Sequence, residues 1–121
     1  ERDELNVVSD QIGSPTYAND LAVAILEIID NKDYQDKKQP TEIYHYSNKG
    51  EISWCDFAKE IFKIAKVDCK VNPITTQQYP TPAKRPKNTL MNKNKIIEKF
   101  GVKNTNWKEP LNTCITTLKE Q

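Results

Sequence analysis

The feature of this sequence that most constrains its fold is an alternation of short apolar runs between strand-like and helix-like spacing. Strand-like runs occupy residues 5–8, 43–46 and 69–74. Between and after them, apolar residues recur every three or four positions, which is the spacing of a helix that faces a core. The order predicts an α/β or α+β-like chain with a few short strands and about four helices, folded as one domain over residues 1–121.

The first predicted helix follows a turn at residues 10–13, with Ser14 or Thr16 as its cap. Its apolar stripe is predicted to face a core and consists of Leu21, Ile25, Ile28 and Ile29. The polar residues 31–40 are predicted to form a loop. A second helix begins at Ser53, which forms a variant of the capping box with Asp56 where glutamate or glutamine is usual.

Two further helices follow the last strand-like run. Asn92 is predicted to cap a short helix that stops at Gly101, since glycine readily adopts the left-handed conformation of a helix end. The last helix is predicted to start at Asn106. It should bury Leu111, Cys114, Ile115 and Leu118.

Residues 75–89 contain three prolines within seven positions and are too short for a linker, so they predict an ordered loop. Arg85 lies in this proline-rich stretch. A guanidinium on a restricted backbone is preorganised for a phosphate or a diphosphate. Asn88 and Thr89 add neutral donors nearby. A solvated basic loop is the alternative interpretation.

The turn at residues 10–16 is a second candidate binding segment, because it leads into a helix whose free N–H groups favour an anion or a polar ligand edge. Simple capping explains the same residues. His45 lies in an apolar run and is predicted to be a core histidine. Trp54 and Trp107 are predicted to be packing residues.

Catalytic patterns are weak in this sequence. Its three glycines, Gly13, Gly50 and Gly101, are far apart and form no glycine-rich turn for a dinucleotide. Tyr34 and Lys38 have the spacing of a proton-transferring pair but lie in the predicted loop, which is a poor place for rigid catalytic groups. Three cysteines and one histidine show no zinc-ligand spacing, which predicts reduced thiols in a cytoplasmic protein and no metal site.

Charge is unevenly distributed along the chain. Residues 1–60 carry 13 acidic and 6 basic side chains, whereas residues 61–121 carry 4 acidic and 12 basic ones. An anionic ligand would prefer the second half, although two solvated faces of opposite sign explain the same pattern. We expect no nucleic-acid partner, because the aromatic residues do not interleave with the basic ones. We expect no membrane partner either, because no apolar run approaches roughly 20 residues.

Several motifs follow one another over nearly the whole chain. They are Val7-Val8-x-Asp10-Gln11-x-Gly13-Ser14-Pro15-Thr16, Asp20-Leu21-Ala22, Tyr44-His45-x-Ser47-Asn48-x-Gly50, Ser53-Trp54-x-Asp56-Phe57-Ala58 and Tyr79-Pro80-Thr81-Pro82-Ala83-x-Arg85-Pro86-x-Asn88-Thr89. In this order they resemble the dTDP-4-dehydrorhamnose reductases, which are extended short-chain dehydrogenase/reductases. The proline–arginine block is the specific part of the resemblance.

The resemblance implies a division of labour between two domains. An N-terminal Rossmann domain binds NADPH or NADH and carries the catalytic residues, and a smaller C-terminal part binds the dTDP-sugar. This chain resembles only the C-terminal part, with the Rossmann domain absent, and its opening at Glu1 without a methionine fits a fragment. The parent enzyme would reduce dTDP-4-dehydro-L-rhamnose, whereas the chain alone would be inactive.

The resemblance also implies which residues bind substrate. Arg85 takes the place of the arginine that holds the nucleotide diphosphate, with Asn88 beside it. Four more positions fall where the chain passes the substrate pocket: Gln11, Gly13, Pro15 and Thr16. Some members of the family dimerise through a metal bridge formed by glutamates, so a homodimer and Mg²⁺ are further expectations for the parent.

Two rival functions remain open at this stage. Regulatory subunits of methionine adenosyltransferase share the fold and use it to bind a partner, and other nucleotide-sugar reductases or epimerases are related. A glycine-rich turn and a Tyr/Lys pair in the preceding half of the parent would favour the enzyme.

Overall fold

A computed structural model of the chain describes residues 3–35 and 40–120. Its strands and helices are β1 Glu4–Val8, β2 Ile12–Gly13, α1 Ala18–Asp30, α2 Lys32–Gln35, β3 Ile52–Ser53, α3 Trp54–Ala65, β4 Lys70–Ile74, α4 Asn94–Phe100 and α5 Lys108–Lys119, with a 3₁₀ turn at Thr76–Gln78. Four of the described helices have seven or more residues, and the strands have at most five. The predicted mixed α/β architecture is confirmed.

Two small sheets place the loops that matter for function. Strand β1 runs parallel to β4, with Leu5 opposite Val71 and Val8 opposite Ile74. Strand β2 pairs antiparallel with β3, with Ile12 opposite Ser53. Helix α3 connects the two sheets, because it follows β3 directly and packs on both β1 and β4.

The start of α3 is confirmed at the predicted residue. The Ser53 hydroxyl accepts a hydrogen bond from the Asp56 N–H at 3.0 Å and donates one to Asp56 Oδ2 at 2.8 Å. Aspartate is one methylene shorter than glutamate, and here its carboxylate binds the serine hydroxyl. This local pair fixes the direction in which α3 leaves β3.

The described hydrophobic core has two parts. One is a cluster of Ala24, Ile96 and Val102, which joins α1 to α4 and is flanked by half-buried Tyr44 and Tyr46. The other lies between α3 and α5, where buried residues include Cys55, Trp107 and Ile115. The rings of Phe57 and Trp107 meet edge to face there, with their centroids 5.8 Å apart.

The predictions for α1 are wrong in two respects. Ala24 is its only buried residue, whereas Leu21, Ile25 and Ile29 are exposed and Ile28 is half-buried. The reason is that the described residues cover α1 only on the side of Ala24 and Ile28, where α4 packs. Neither predicted cap is used.

The N-terminus of α1 is bound by a different part of the chain. Asn48 Oδ1 accepts a hydrogen bond from the Tyr17 N–H at 2.7 Å, and Asn48 Nδ2 donates to Asp20 Oδ2 at 2.6 Å. The Ser14 hydroxyl instead donates to the Gly50 carbonyl, and that of Thr16 to the Ser14 carbonyl. Neither hydroxyl caps the helix, and a distant side chain instead binds the N–H of the N-cap residue Tyr17 and the Asp20 carboxylate in the first turn.

The strand predicted at residues 43–46 is also wrong for the described structure. These residues form no strand and have no strand partner among residues 3–35 and 40–120. Tyr44 and Tyr46 pack on the core while Ile43 and His45 point outward, so the two-residue alternation of a strand is present without its hydrogen-bonded ladder. His45 is exposed and is not the core histidine that we predicted.

Smaller differences concern the helix ends. Gly101 ends α4 with a positive φ of 66°, as predicted. The N-cap of α4 is Lys93 and not Asn92 as predicted, although Asn92 Oδ1 accepts a hydrogen bond from the Asn94 N–H. Helix α5 begins at Lys108, two residues later than predicted, and Leu118, which was predicted to be buried, is exposed one residue before the helix ends. No helix in the described ranges combines the length and the apolar character needed to cross a membrane.

The segment predicted as a loop at residues 31–40 contains the short helix α2. Tyr34 lies on this helix and is 58% exposed. Lys38, its predicted catalytic partner, lies outside the described residues. The Tyr34–Lys38 pair therefore stays a sequence pattern.

Candidate functional site

Hydrogen bonds to Thr76 connect the turn after β1 to the residues that follow β4. Asp10 Oδ1 accepts hydrogen bonds from the Thr76 N–H at 2.8 Å and from the Thr76 hydroxyl at 2.7 Å. The hydroxyl bond holds the pKa of Asp10 below its usual value, helped by the N–H and by the charge of Lys87 and opposed by desolvation. Because the lowered pKa belongs to the folded state, this support is present at neutral pH and is lost as the pH falls through that value.

Gln11 is held by the same threonine. Its Nε2 donates a hydrogen bond to Thr76 Oγ1 at 3.1 Å, and the residue is 8% exposed. A buried amide needs such a partner, because an unsatisfied polar group away from water is costly. The side chain of Gln11 is therefore fixed before any ligand arrives.

The loop that carries Arg85 returns to the same turn. The Ile12 N–H donates to the Lys87 carbonyl at 2.8 Å, and the Thr89 N–H donates to the Ile12 carbonyl at 3.0 Å. A Cβ atom at Gly13 would lie 2.8 Å from Thr89 Oγ1, so a larger residue at this crossing would displace the Thr89 side chain. The two segments that sequence reasoning selected are thus joined by backbone hydrogen bonds.

These contacts form an open cleft of about 430 Å³, which we call the Arg85 cleft. It is lined by Asn6, Val7, Val8, Gln11, Trp54, Tyr79, Thr81 and Arg85. Among the described residues, no carboxylate pairs with Arg85, so its charge is available to a ligand. The cleft therefore combines one cation, neutral polar groups, apolar walls and two aromatic rings.

The other predicted site residues lie elsewhere. Asn88 faces a separate open groove on the side of Ser53 and Asp56, and its Oδ1 accepts a hydrogen bond from the Leu90 N–H. Pro15 and Thr16 line a small apolar pocket of about 90 Å³ beside Trp107. Gly13 packs against Thr89. The structure thus brings Gln11 and Arg85 together and places the other four around the turn that supports them.

Six of the eight lining residues were not among the predicted site residues: Asn6, Val7, Val8, Trp54, Tyr79 and Thr81. Trp107 is 5% exposed and is a packing residue, as predicted, whereas Trp54 is 49% exposed and faces the cleft. No local signal marked Trp54, because it lies three residues before Phe57 and seven before Ile61, which is the spacing of a helix face that packs on a core. Tyr79 lies in the proline–arginine block but was not predicted to bind a ligand, since an aromatic residue is more often a packing residue.

The metal-ligating side chains and cysteines of the described residues form neither a cluster that could hold a metal ion nor a disulfide bond. No group of three or more His, Cys, Asp or Glu side chains within residues 3–35 and 40–120 is placed to hold a metal ion. The cysteines are free thiols, with Cys55 buried and Cys69 and Cys114 half-buried. The groups that line the Arg85 cleft are suited to binding an anion that is attached to a ring.

The fold and the cleft define a ligand-binding domain of mixed α/β architecture. The chain belongs to the family described as the RmlD substrate binding domain, which matches residues 1–120. A dTDP-4-dehydrorhamnose reductase from Sinorhizobium fredii is 38% identical over 120 residues, which cover 96% of this chain and 40% of that protein. The chain therefore spans about two fifths of the length of such a relative.

Solved structures show the same relationship. A dTDP-4-dehydrorhamnose reductase from Clostridium acetobutylicum is 43% identical with a TM-score of 0.86, and the match covers 98% of this chain and 40% of that one. The enzyme of the same name from Bacillus anthracis, solved in complex with NADP, is 38% identical with a TM-score of 0.77 and is covered over 38% of its length. The predicted family and fold are confirmed.

Proposed function

We propose that residues 1–121 are the single substrate-binding domain of a cytoplasmic dTDP-4-dehydrorhamnose reductase. The complete enzyme would reduce dTDP-4-dehydro-L-rhamnose to dTDP-L-rhamnose with NADPH or NADH, a step in the supply of sugars for cell-wall polysaccharide. The observation that carries this proposal is the Arg85 cleft, in which an unpaired guanidinium and a fixed amide from Gln11 line one opening. Membership of the family supports it.

In this proposal Arg85 binds the diphosphate of the dTDP-sugar. A guanidinium presents a planar arrangement of N–H donors, so it can form bidentate hydrogen bonds to phosphate oxygens. Gln11 contributes a neutral contact from a side chain that Thr76 already holds. Gly13, Pro15, Thr16 and Asn88 complete the substrate-binding segments.

The domain would orient the substrate while another part of the protein carries out the chemistry. Binding energy from the diphosphate, which does not react, can position the ketone that does. The nicotinamide cofactor supplies hydride when it is bound. The described residues offer no dinucleotide turn, because Gly13 abuts Thr89, Gly50 abuts Trp107 and Gly101 ends α4. We therefore place the cofactor on a Rossmann domain outside these 121 residues.

The exposed apolar face of α1 supports the presence of a further domain in the complete protein. Leu26 is 65% exposed and Ile25 and Ile29 nearly half so, which is unusual for large aliphatic side chains on one helix. Residues 43–46 pack on the Ala24 cluster through Tyr44 and Tyr46 and have no strand partner among the described residues. We propose that the Rossmann domain covers both. The homodimer and Mg²⁺ implied by the family resemblance stay predictions for the complete enzyme.

An activity assay tests the proposal. The complete gene product is expected to oxidise NADPH when dTDP-4-dehydro-L-rhamnose is added, whereas residues 1–121 alone should show no turnover because their described part contains no glycine-rich turn for a dinucleotide. Consumption of NADPH is measured by its absorbance, with dTDP-L-rhamnose as the product to be identified. Inactivity of the complete gene product would refute the proposed reaction, and turnover by residues 1–121 would refute the division of labour.

A further inference from the structure

Two aromatic rings at the Arg85 cleft are about half exposed. Trp54 is 49% exposed and Tyr79 is 58% exposed, and both line the cleft together with Arg85. The ring of Trp54 meets the edge of Phe57, with a centroid distance of 6.4 Å. Tyr79 contacts no other aromatic ring within the described part of the chain. Each ring therefore offers a face to whatever enters the cleft.

The backbone that carries each ring is held in place. Trp54 follows Ser53, which pairs with Ile12 across the small sheet and caps α3. Tyr79 lies between Pro80 and a 3₁₀ turn, which is closed by a hydrogen bond of 2.8 Å from the Thr75 N–H to Gln78 Oε1. Groups positioned in advance lose little conformational entropy when they bind a ligand.

We propose that Trp54 and Tyr79 form a stacking platform for the nucleobase of the ligand whose diphosphate Arg85 binds. This inference rests on the proposed function for the nature of the ligand. A nucleobase is a planar ring that gains by stacking on aromatic side chains. The cleft volume of about 430 Å³ lies within the range of small-molecule sites, and Val7 and Val8 provide apolar walls beside the rings.

Two ligands separate the platform from the diphosphate contact: dTDP, which has a base, and inorganic pyrophosphate, which has none. In the complete gene product, Trp54→Leu and Tyr79→Leu are each expected to weaken dTDP about 5- to 150-fold, as the loss of one stacked base implies. Pyrophosphate affinity should not change. Trp54→Phe and Tyr79→Phe should retain most dTDP affinity, because phenylalanine still offers a ring face. Affinities are measured by calorimetry, with pyrophosphate also tested as a competitor.

Tyr34→Leu is the matched control, because Tyr34 is also 58% exposed but lies on α2, outside the cleft. Unchanged dTDP affinity in both leucine variants would overturn the inference, and so would an equal loss for dTDP and pyrophosphate. A loss seen with the dTDP-sugar but not with dTDP would assign the rings to the sugar and overturn it as well. If Trp54→Leu does not fold by circular dichroism, Tyr79→Leu decides.

Arg85→Ala separates this inference from the proposed function. Loss of dTDP binding in Arg85→Ala together with normal binding in both leucine variants would support the proposed diphosphate site and contradict the stacking platform. Normal dTDP binding in Arg85→Ala would instead remove the proposed diphosphate site, whatever the ring variants show.

Discussion

Replacing Arg85 with alanine is expected to weaken dTDP binding by the complete gene product about 10- to 150-fold. Hydrogen bonds to a charged group contribute about 1.5–3 kcal/mol, and this range converts to that loss of affinity. Among the described residues no carboxylate neutralises Arg85, so the substitution removes a ligand contact and leaves no carboxylate without its partner. Titration calorimetry with dTDP measures the change, and binding of NADPH should stay nearly constant.

Two further variants make the Arg85 result specific. Arg85→Lys should recover only part of the lost affinity, because an ammonium cannot reproduce the bidentate hydrogen bonds of a guanidinium. Lys84→Ala removes the neighbouring charge, which does not line the cleft, and should have little effect. Similar losses in Arg85→Ala and Lys84→Ala would show that general positive charge, and not a directed contact, attracts the ligand.

Replacing Asn48 with alanine is expected to lower the free energy of unfolding by about 3 kcal/mol. Asn48 is completely buried, and its amide bonds both the Tyr17 N–H and the Asp20 carboxylate. The substitution leaves a helix N–H and a carboxylate without their partner, and it opens a small cavity. The melting temperature should fall on the order of 10 °C for a domain of this size, as measured by circular dichroism.

Asn72→Ala is the matched control for Asn48. Its amide also takes part in two hydrogen bonds, both donated to the side chains of Glu4 and Asn6, but these lie at the surface of β1 and β4. The expected loss is well under 1 kcal/mol, since water can replace such contacts. Equal destabilisation by the two substitutions would show that burial of Asn48 does not determine its contribution.

Features set by neighbouring residues were predictable from the sequence, and those set by distant residues were not. Ser53 begins α3 because its hydroxyl reaches the N–H three residues later, and Gly101 ends α4 because glycine tolerates a positive φ. By contrast, Tyr17, the N-cap residue of α1, is held through its N–H by Asn48, 31 positions away. No local pattern distinguishes this arrangement from a cap by Ser14 or Thr16.

The same distinction applies to burial. The spacing of Leu21, Ile25 and Ile29 identifies a helix correctly, but it cannot say whether the surface that the helix covers belongs to the same 121 residues. Residues 43–46 have strand-like alternation for the same reason, yet a strand also needs a neighbour to pair with. In both cases the local prediction failed because it assumed a partner that the described residues do not provide.

For the candidate site, sequence reasoning found the polar contacts and missed the aromatic ones. Gln11 and Arg85 stand out because a turn before a helix and a proline-restricted cation have a recognisable chemistry. Trp54 and Tyr79 do not, because an aromatic residue in a sequence is more often a packing residue. Only the crossing of Ile12 with residues 87–89 shows that these four side chains share one opening.

The walls of the Arg85 cleft come from β1, from the first residue of α3 and from the loop after β4. These stretches meet only in the folded chain, so an unfolded chain offers the nucleotide no assembled site. Ligand at one hundred times its Kd would therefore add about 2.7 kcal/mol to the free energy of unfolding. In a cell, the supply of sugar nucleotide would then influence how long the protein survives proteolysis, in addition to how fast it works.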